Sequence, residues 1–332
     1  MNLNLLQIGE IVERALAEDI GTGDITTSAT ISPASTSKAH IISRESGVLA
    51  GLPVAMLVFS KVAESYGCVH CTDPSKRHID VSNLVTEYET FKVSAKQGQP
   101  TKVQRLKAAD KEATDQPRLN FFACLADGCT IEKGEKIVEI FGPTDVILTA
   151  ERTALNFLQR MSGIASATSK LVNLVKHTNA KIIDTRKTAP GLRILDKYAV
   201  RCGGGQNHRF GLYDAILIKD NHIQAAGSIS EAIKRAKNAA PHTIKIEVET
   251  DTIEQVEEAL AASADMILLD NMRPTLLREC VKLCRGHALT EASGGITLKT
   301  IVEVAETGVD LISVGALTHS VNALDLSLEI LG

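Results

Sequence analysis

The sequence predicts an α/β protein in which a barrel of parallel strands follows an antiparallel N-terminal layer. Three observations carry this. From Lys181 onward, six continuous apolar segments alternate with amphipathic stretches, the pattern of parallel strands buried on both faces. No G-x-G-x-x-G turn opens any of them, which favours a barrel over a dinucleotide-binding sheet. Before Lys181, short β-prone runs are punctuated by Asp127-Gly128 and Lys133-Gly134, as in a hairpin or small sheet.

Taken in order, Leu5, Ile8, Ile11, Val12, Ala15 and Leu16 recur at helical spacing, and the Gly- and Thr-rich run Glu18 to Thr27 ends that helix in a loop. Short strands are expected over 39–43 and 47–50, then a helix over 52–63. From Gly67 to about Leu119 charge is high and no period of 2 or 3.6 persists, so this stretch reads as an insertion. Residues 121–140 carry the small sheet and Gly142-Pro143 closes it. A long helix without proline is predicted over 145–177. Barrel strands follow at 181–184, 215–218, 244–248, 266–269, 288–292 and 311–314, with helices such as 252–261 and 299–306 between them. The last segment, 324–331, alternates apolar and polar residues; a barrel offers it no free edge, so it should return to the N-terminal layer. The expected domains are 1–144, a barrel over 145–320, and a returning strand over 321–332.

Composition limits the function. A chain of 332 residues, 44% hydrophobic and with net charge −4, suits a barrel enzyme with an added domain. It has no Trp, four Tyr and seven Phe, so stacking on nucleic acid is not expected. No apolar run approaches the ~20 residues needed to span a bilayer, and the first residues carry acids and no cleavage site, so no membrane partner and a cytoplasmic setting are expected. Seven cysteines, an odd number, fit reduced thiols. Cys68 and Cys71 stand at a metal-like spacing, but without a second pair a structural zinc there is disfavoured.

In a parallel barrel, chemistry gathers where the strands end. The predicted strands end in Asp184-Thr185-Arg186-Lys187, Lys219-Asp220-Asn221-His222, Glu249, Asp270-Asn271, Ser293-Gly294-Gly295 and Gly315-Ala316. The window from Asp184 to His222 is +3 while the rest of the chain is −7, a local cation cluster suited to a small polyanion. Arg186, Lys187 and Lys219 are read as site residues; Arg193, Lys197 and Arg201, at i, i+4 and i+8, are read as solvated helix charges. Gly203-Gly204-Gly205 before His208-Arg209 suggests backbone approach to an anion beside a guanidinium. Ser293, Gly294, Gly295 and Gly315 suit a phosphate held by backbone N–H groups. Glu249 and Asp270, on adjacent strands, can bind Mg²⁺ together with substrate oxygens or accept from sugar hydroxyls. Glu247 is assigned to the opposite face and set aside.

The run IIDTRKTAPGLRILDKYAVRCGGGQNHRFGLYDAILIKDNHI (Ile182 to Ile223) closely resembles the signature of the quinolinate phosphoribosyltransferases. LAEDIGTGDITT, ERTALNFLQRMSGIAS, IEVET, LLDNM, EASGGI and SVGALTHS resemble the same family in collinear order; the stretch from 67 to about 119 departs from it. The resemblance implies an N-terminal open α/β sandwich completed by the C-terminal tail, and a distorted or incomplete α/β barrel. It also implies a homodimer or higher homo-oligomer that shares active sites. The implied reaction takes quinolinate and phosphoribosyl pyrophosphate to nicotinate mononucleotide, pyrophosphate and CO₂, with Mg²⁺, in NAD biosynthesis. By position, Arg152 from a neighbouring subunit, Arg186, His208 and Arg209 would hold the two carboxylates, with Thr185 also binding substrate. Lys187 and Lys219 would lie between pyridine and phosphoribosyl pyrophosphate. Glu249 and Asp270 would face ribose hydroxyls and metal-bound pyrophosphate, those four being the catalytic set. Ser293, Gly294, Gly295 and Gly315 would seat the 5′-phosphate. The alternatives are a related phosphoribosyltransferase of the same fold and a non-catalytic sensor of a phosphoribosyl ligand.

Overall fold

The computed structural model describes residues 3, 5–67 and 119–331. They form two compact units, Met1–Ser166 with Asn322–Gly332, and Ala167–Val321.

In the first unit, α1 (Leu5–Ile20) buries Ile8, Val12 and Leu16 at the predicted spacing. The run expected to be a loop instead opens a second short helix, α2 (Ile25–Thr30), because Asp24 caps it. Its Oδ1 accepts from the Thr27 N–H at 2.9 Å and its Oδ2 from the Thr27 hydroxyl at 2.5 Å. Strands β1 (Thr36–Ser43), β3 (Asn120–Ala123), β5 (Lys136–Pro143) and β12 (Leu326–Leu331) form one antiparallel sheet in the order β12-β1-β5-β3, while β2 (Gly47–Val48) pairs with β4 (Thr130–Ile131). The C-terminal strand does return here, with Lys38 opposite Leu331 and Ser43 opposite Leu326. Gly142-Pro143, expected to close the sheet, remains in β5 opposite Ser37 and Thr36; a proline at a strand's last residue leaves the ladder within intact.

Helix α3 (Leu52–Ser65) is buried almost all round. Its first N–H groups are satisfied by Asp127, a buried carboxylate that accepts from Gly51 at 2.9 Å and Leu52 at 3.1 Å. The long helix α4 (Thr144–Val175) holds the preceding loop through Ser162, which accepts from Ala50 N at 3.0 Å, and Ser166, which accepts from Val48 N at 2.8 Å. Glycine in a helix costs about 1 kcal/mol, yet Gly163 is required there. A Cβ would lie 2.1 Å from the Asn322 carbonyl oxygen.

In the second unit, β6 (Lys181–Ile183), β7 (Ile216–Ile218), β8 (Ile246–Thr250), β9 (Met266–Asp270), β10 (Leu289–Ser293) and β11 (Leu311–Ser313) make a parallel sheet in the order β6-β11-β10-β9-β8-β7. All six predicted strands are present. Helices α5 (Arg193–Cys202), α6 (Asp220–Ala226), α7 (Ile229–Ala239), α8 (Ile253–Ala261), α9 (Pro274–Cys284), α10 (Ile301–Ala305) and α11 (Ala316–His319) lie between and after them. The helix expected over 299–306 is shorter because Thr297 and Thr300 close their own turn, the Thr300 hydroxyl accepting from Thr297 N at 3.0 Å.

Gln206 extends the sheet by a parallel bridge to Ile183. From that segment to β8 is five strand steps, or about 24 Å if the sheet were flat. Yet His208, two residues on, lies 3.1 Å from Glu247 of β8. The sheet is therefore rolled into a barrel. Among the described residues no strand ladder joins β7 to the Gln206 segment, so the barrel is incomplete; Arg209 Nη1 spans the gap to the Ala215 carbonyl at 3.0 Å.

Among the described residues no helix is long and apolar enough to cross a membrane, and Cys124, Cys129, Cys202, Cys280 and Cys284 are free. The stretch read as an insertion lies outside the described residues except for Gly67 and Leu119, and so do Cys68 and Cys71.

Candidate active site

The rim of the barrel brings together residues from every strand end. Lys219, which follows β7 and starts α6, donates its Nζ to Glu249 Oε2 of β8 at 2.5 Å. Asp270, at the end of β9, is in register with Ser293 of β10, and its Oδ2 accepts from Asn271 Nδ2 at 2.8 Å. Beyond β6, Arg186 and Lys187 are exposed; the Thr185 hydroxyl accepts from Lys187 N at 3.0 Å, and Thr318 donates to the Lys187 carbonyl at 2.8 Å. Gly315 leaves room for the Lys187 side chain, since a Cβ there would meet Lys187 Cδ at 3.1 Å.

The two glycines after β10 differ. Gly294 has φ +92°, and a Cβ would overlap Asn271 Oδ1 at 2.2 Å, so this glycine knits two loops together. Gly295 has φ +59° and nothing within 4 Å of a Cβ, which leaves its backbone open to an anion. Of the three glycines before His208, Gly204 is exposed and Gly203 and Gly205 are buried. A Cβ on Gly205 would sit 2.8 Å from both Thr168 Cγ2 and Val200 Cγ1, so that turn serves close packing against helices.

Beneath the rim lie three side chains that sequence reasoning did not unite. His208 Nδ1 accepts from the Arg209 backbone N–H at 2.7 Å, and its Nε2 lies 3.1 Å from Glu247 Oε2 and 3.5 Å from Glu291 Oε2. Both glutamates are buried. Glu247 had been assigned to the far face, but residues two apart on a strand share a face, so it sits on the same side as Glu249 and one pleat deeper. Glu291 likewise precedes Ser293 by two. Burial, then the neighbouring Glu247 charge, pushes the Glu291 carboxyl well above its ordinary range, while Ser313 and Lys219 pull it back in part.

A second correction concerns Lys197, read from its helical spacing as a solvated charge. It is fully buried and pairs with Asp184, while also donating to the His208 carbonyl at 2.9 Å. Asp184 in turn accepts from Asn207 Nδ2 at 2.5 Å and His208 N at 2.9 Å. Burial pushes the Asp184 carboxyl up and the Lys197 amine down, against their mutual attraction. Arg193 donates to Thr188 Oγ1 and the Phe210 carbonyl, so of the three helix cations Arg201 alone is exposed.

Arg209 is held by Ala215, and burial, followed by the adjacent Arg186 charge, lowers its pKa; a guanidinium stays charged regardless. The barrel unit therefore gathers Thr185, Arg186, Lys187, His208, Arg209, Lys219, Glu249, Asp270, Ser293, Gly294, Gly295 and Gly315. Arg152 belongs to the first unit, exposed on α4. Among the described residues, His208, Glu247 and Glu291 bring possible ligand atoms within 4.8 Å of one another below the rim, and Glu249 and Asp270 offer carboxylate oxygens at the rim.

Known proteins agree with this architecture. Residues 164–329 match the family description of the quinolinate phosphoribosyl transferase C-terminal domain, and residues 106–162 match that of its N-terminal domain. A Bacillus subtilis protein assigned as a carboxylating nicotinate-nucleotide pyrophosphorylase is 40% identical over 328 residues, covering 99% of this chain and 95% of that protein. The carboxylating nicotinate-nucleotide pyrophosphorylase of Mycobacterium leprae is 38% identical over 325 residues, covering 97% of this chain and 96% of its own. The crystal structure of NadC from Streptococcus pyogenes superposes with a TM-score of 0.80 at 35% identity, with 100% of both chains covered. On these matches the chain belongs to the quinolinate phosphoribosyltransferase family.

Proposed function

We propose that this protein transfers the phosphoribosyl group of phosphoribosyl pyrophosphate to quinolinate, with loss of CO₂, to give nicotinate mononucleotide for NAD biosynthesis. The observation that carries the reading is the mouth of the barrel, where Arg186, Lys187, Arg209 and Lys219 stand with Glu249 and Asp270. Guanidiniums match a dicarboxylate, and carboxylates match sugar hydroxyls.

In this reading Arg186 and Arg209, with His208 at their base and Thr185 beside them, hold the quinolinate carboxylates. Arg152 joins them from a partner subunit in a homodimer. That orientation puts the pyridine nitrogen in line with the anomeric carbon. The nitrogen lone pair forms the new C–N bond as the bond to pyrophosphate breaks, so positive charge grows on the ribose and negative charge on the leaving oxygens. Lys187 and Lys219 face that developing negative charge. The Ser293-Gly294-Gly295 turn and Gly315 seat the 5′-phosphate. Once the ring nitrogen is quaternary, the C2 carboxylate leaves as CO₂, its bonding pair stays on C2, and C2 takes up a proton.

Glu249 and Asp270 fit a magnesium site. Each keeps one carboxylate oxygen outside its hydrogen bond to Lys219 or Asn271, and hard oxygen ligands on a partly open rim suit an ion shared with substrate and water. Bound there, Mg²⁺ would add positive charge beside the departing pyrophosphate. The test mixes protein, quinolinate, phosphoribosyl pyrophosphate and Mg²⁺ and assays nicotinate mononucleotide, with nicotinic acid as control. With one carboxylate fewer, nicotinic acid forfeits charge-assisted hydrogen bonds to the guanidiniums, so it should react far more slowly. Comparable turnover of the two acids would overturn the assignment.

A further inference from the structure

We infer that Arg193 is a positioning residue that holds Arg186 and Arg209 in register as a pair, by tying together the two loops that carry them. The inference rests on the reading of those two arginines as quinolinate ligands. Arg193 opens α5, which lies between the two loops in sequence, and its guanidinium donates to both. Nη2 reaches the carbonyl of Arg186 at 3.4 Å and Nε the hydroxyl of Thr188 at 3.1 Å. Nη1 reaches the carbonyl of Phe210, the residue after Arg209, at 2.9 Å. All three acceptors are uncharged, the pattern of a cross-link and not of an ion pair.

Arg209 is bracketed as a result. The carbonyl before it, that of His208, accepts from Lys197 at 2.9 Å, one turn along α5, and the carbonyl after it accepts from Arg193. Phe210 is also held through its N–H, which donates to Asp214 Oδ2 at 2.7 Å. The bridge works against a repulsion. After burial, the Arg186 charge is the next cause of the lowered Arg209 pKa, so the two guanidiniums lie near enough to push each other apart. Flexible side chains alone would give way to that push; loops tied at their carbonyls resist it. Arginine suits the task because its planar fork carries donors on every nitrogen, whereas an ammonium is a point charge on a flexible stem. A ligand with two adjacent carboxylates needs both arginines at once, so their separation decides its affinity. A monocarboxylate needs only one of them.

The test measures quinolinate binding by calorimetry in wild type, Arg193→Lys and Thr188→Val, with nicotinic acid as a competitor and the KM for phosphoribosyl pyrophosphate as a control. Arg193→Lys keeps the charge and loses the fork; Thr188→Val keeps the shape and loses one acceptor. In Arg193→Lys the quinolinate Kd should rise about tenfold or more, the worth of a lost hydrogen bond to a charged group, while the nicotinic acid Kd and the KM for phosphoribosyl pyrophosphate stay within about twofold. Thr188→Val should raise the quinolinate Kd by less, about two- to fivefold. Thermal melting checks that each variant folds; if Arg193→Lys does not, Thr188→Val carries the test, and an unchanged quinolinate Kd there defeats the inference. In a folded Arg193→Lys, an unchanged quinolinate Kd defeats it too. Equal losses for quinolinate, nicotinic acid and phosphoribosyl pyrophosphate would do the same, marking Arg193 as general support for the barrel. If wild type itself does not bind quinolinate, the reading of Arg186 and Arg209 as its ligands falls; if wild type and Arg193→Lys bind it equally, only the bridge falls.

Discussion

The two units bury polar side chains in opposite ways. In the first, Asp127 takes the Gly51 and Leu52 N–H groups, Ser162 that of Ala50 and Ser166 that of Val48, while the buried threonines bond to hydroxyls or to the less buried Asp19 and Asp24, with no buried cation among the described residues. In the barrel, Asp184, Lys197, Asn207, His208, Glu247 and Glu291 form one connected set of mostly ionisable groups. A lone acceptor on an orphan N–H serves the fold where it stands. A connected ionisable network is costly to desolvate, and replacing such a network by apolar residues often stabilises a protein. The network lies directly beneath the rim residues, so the barrel interior keeps ionisable groups where an apolar core would cost less to desolvate.

The largest test of that contrast removes one charge of the buried pair. Lys197→Met leaves Asp184 uncompensated and should cost about 3–5 kcal/mol of unfolding free energy, read by denaturant titration. The double variant Asp184→Asn with Lys197→Met should recover part of this. If it does not, the pair is ordinary structural support and the contrast with the first unit weakens.

Lys219→Ala sharpens the comparison from the rim. Its side chain is half-exposed, so melting should hardly change, whereas turnover should fall by about 10²–10³-fold, as when one preorganised donor to a leaving group is deleted. Asp127→Ala should show the reverse profile in the first unit. Two helix N–H groups lose their acceptor, at a cost of about 1–3 kcal/mol, while the quinolinate KM of the folded protein stays put. A changed KM there would mean that the first unit's acceptors also tune the site.

How much could be read from the chain follows the same division. The barrel strands were legible because short apolar runs recur between amphipathic helices, the pattern of parallel strands buried on both faces, and the strand 326–331 because its alternation demanded a one-sided layer. The rim residues were legible because they follow those strands directly. What escaped was set by partners distant in sequence. Lys197 shares its helical spacing with Arg193 and Arg201, and only Asp184, brought alongside by the fold, makes its burial tolerable. Helix α2 is too short to show a period, though Asp24 before Ile25-Thr26-Thr27 is a capping signal that could have found it. Glu247 and Glu291 were within reach: each precedes a rim residue by two in an apolar strand, and two is the strand period.

The smallest expected effect isolates a single proton. Glu291 is held well above its ordinary carboxyl range by burial and by the Glu247 charge, while in the unfolded chain it titrates near about 4.3. Between those two values the native state keeps a proton that the unfolded state has released, so stability must fall as pH rises through that window. Glutamine cannot ionise and lacks this dependence. Glu291→Gln should therefore unfold like wild type at pH 4 and become the more stable of the two as pH rises, by about 1–4 kcal/mol at pH 8, the range seen when buried charges are replaced. Paired denaturant titrations from pH 4 to 8 measure the difference. A difference that stays flat would place Glu291 among ordinary carboxylates and detach it from the network, leaving Glu247 as the sole acid behind His208; a difference that grows, and shrinks again when Glu247→Gln is added, identifies the repulsion between the two as a cause.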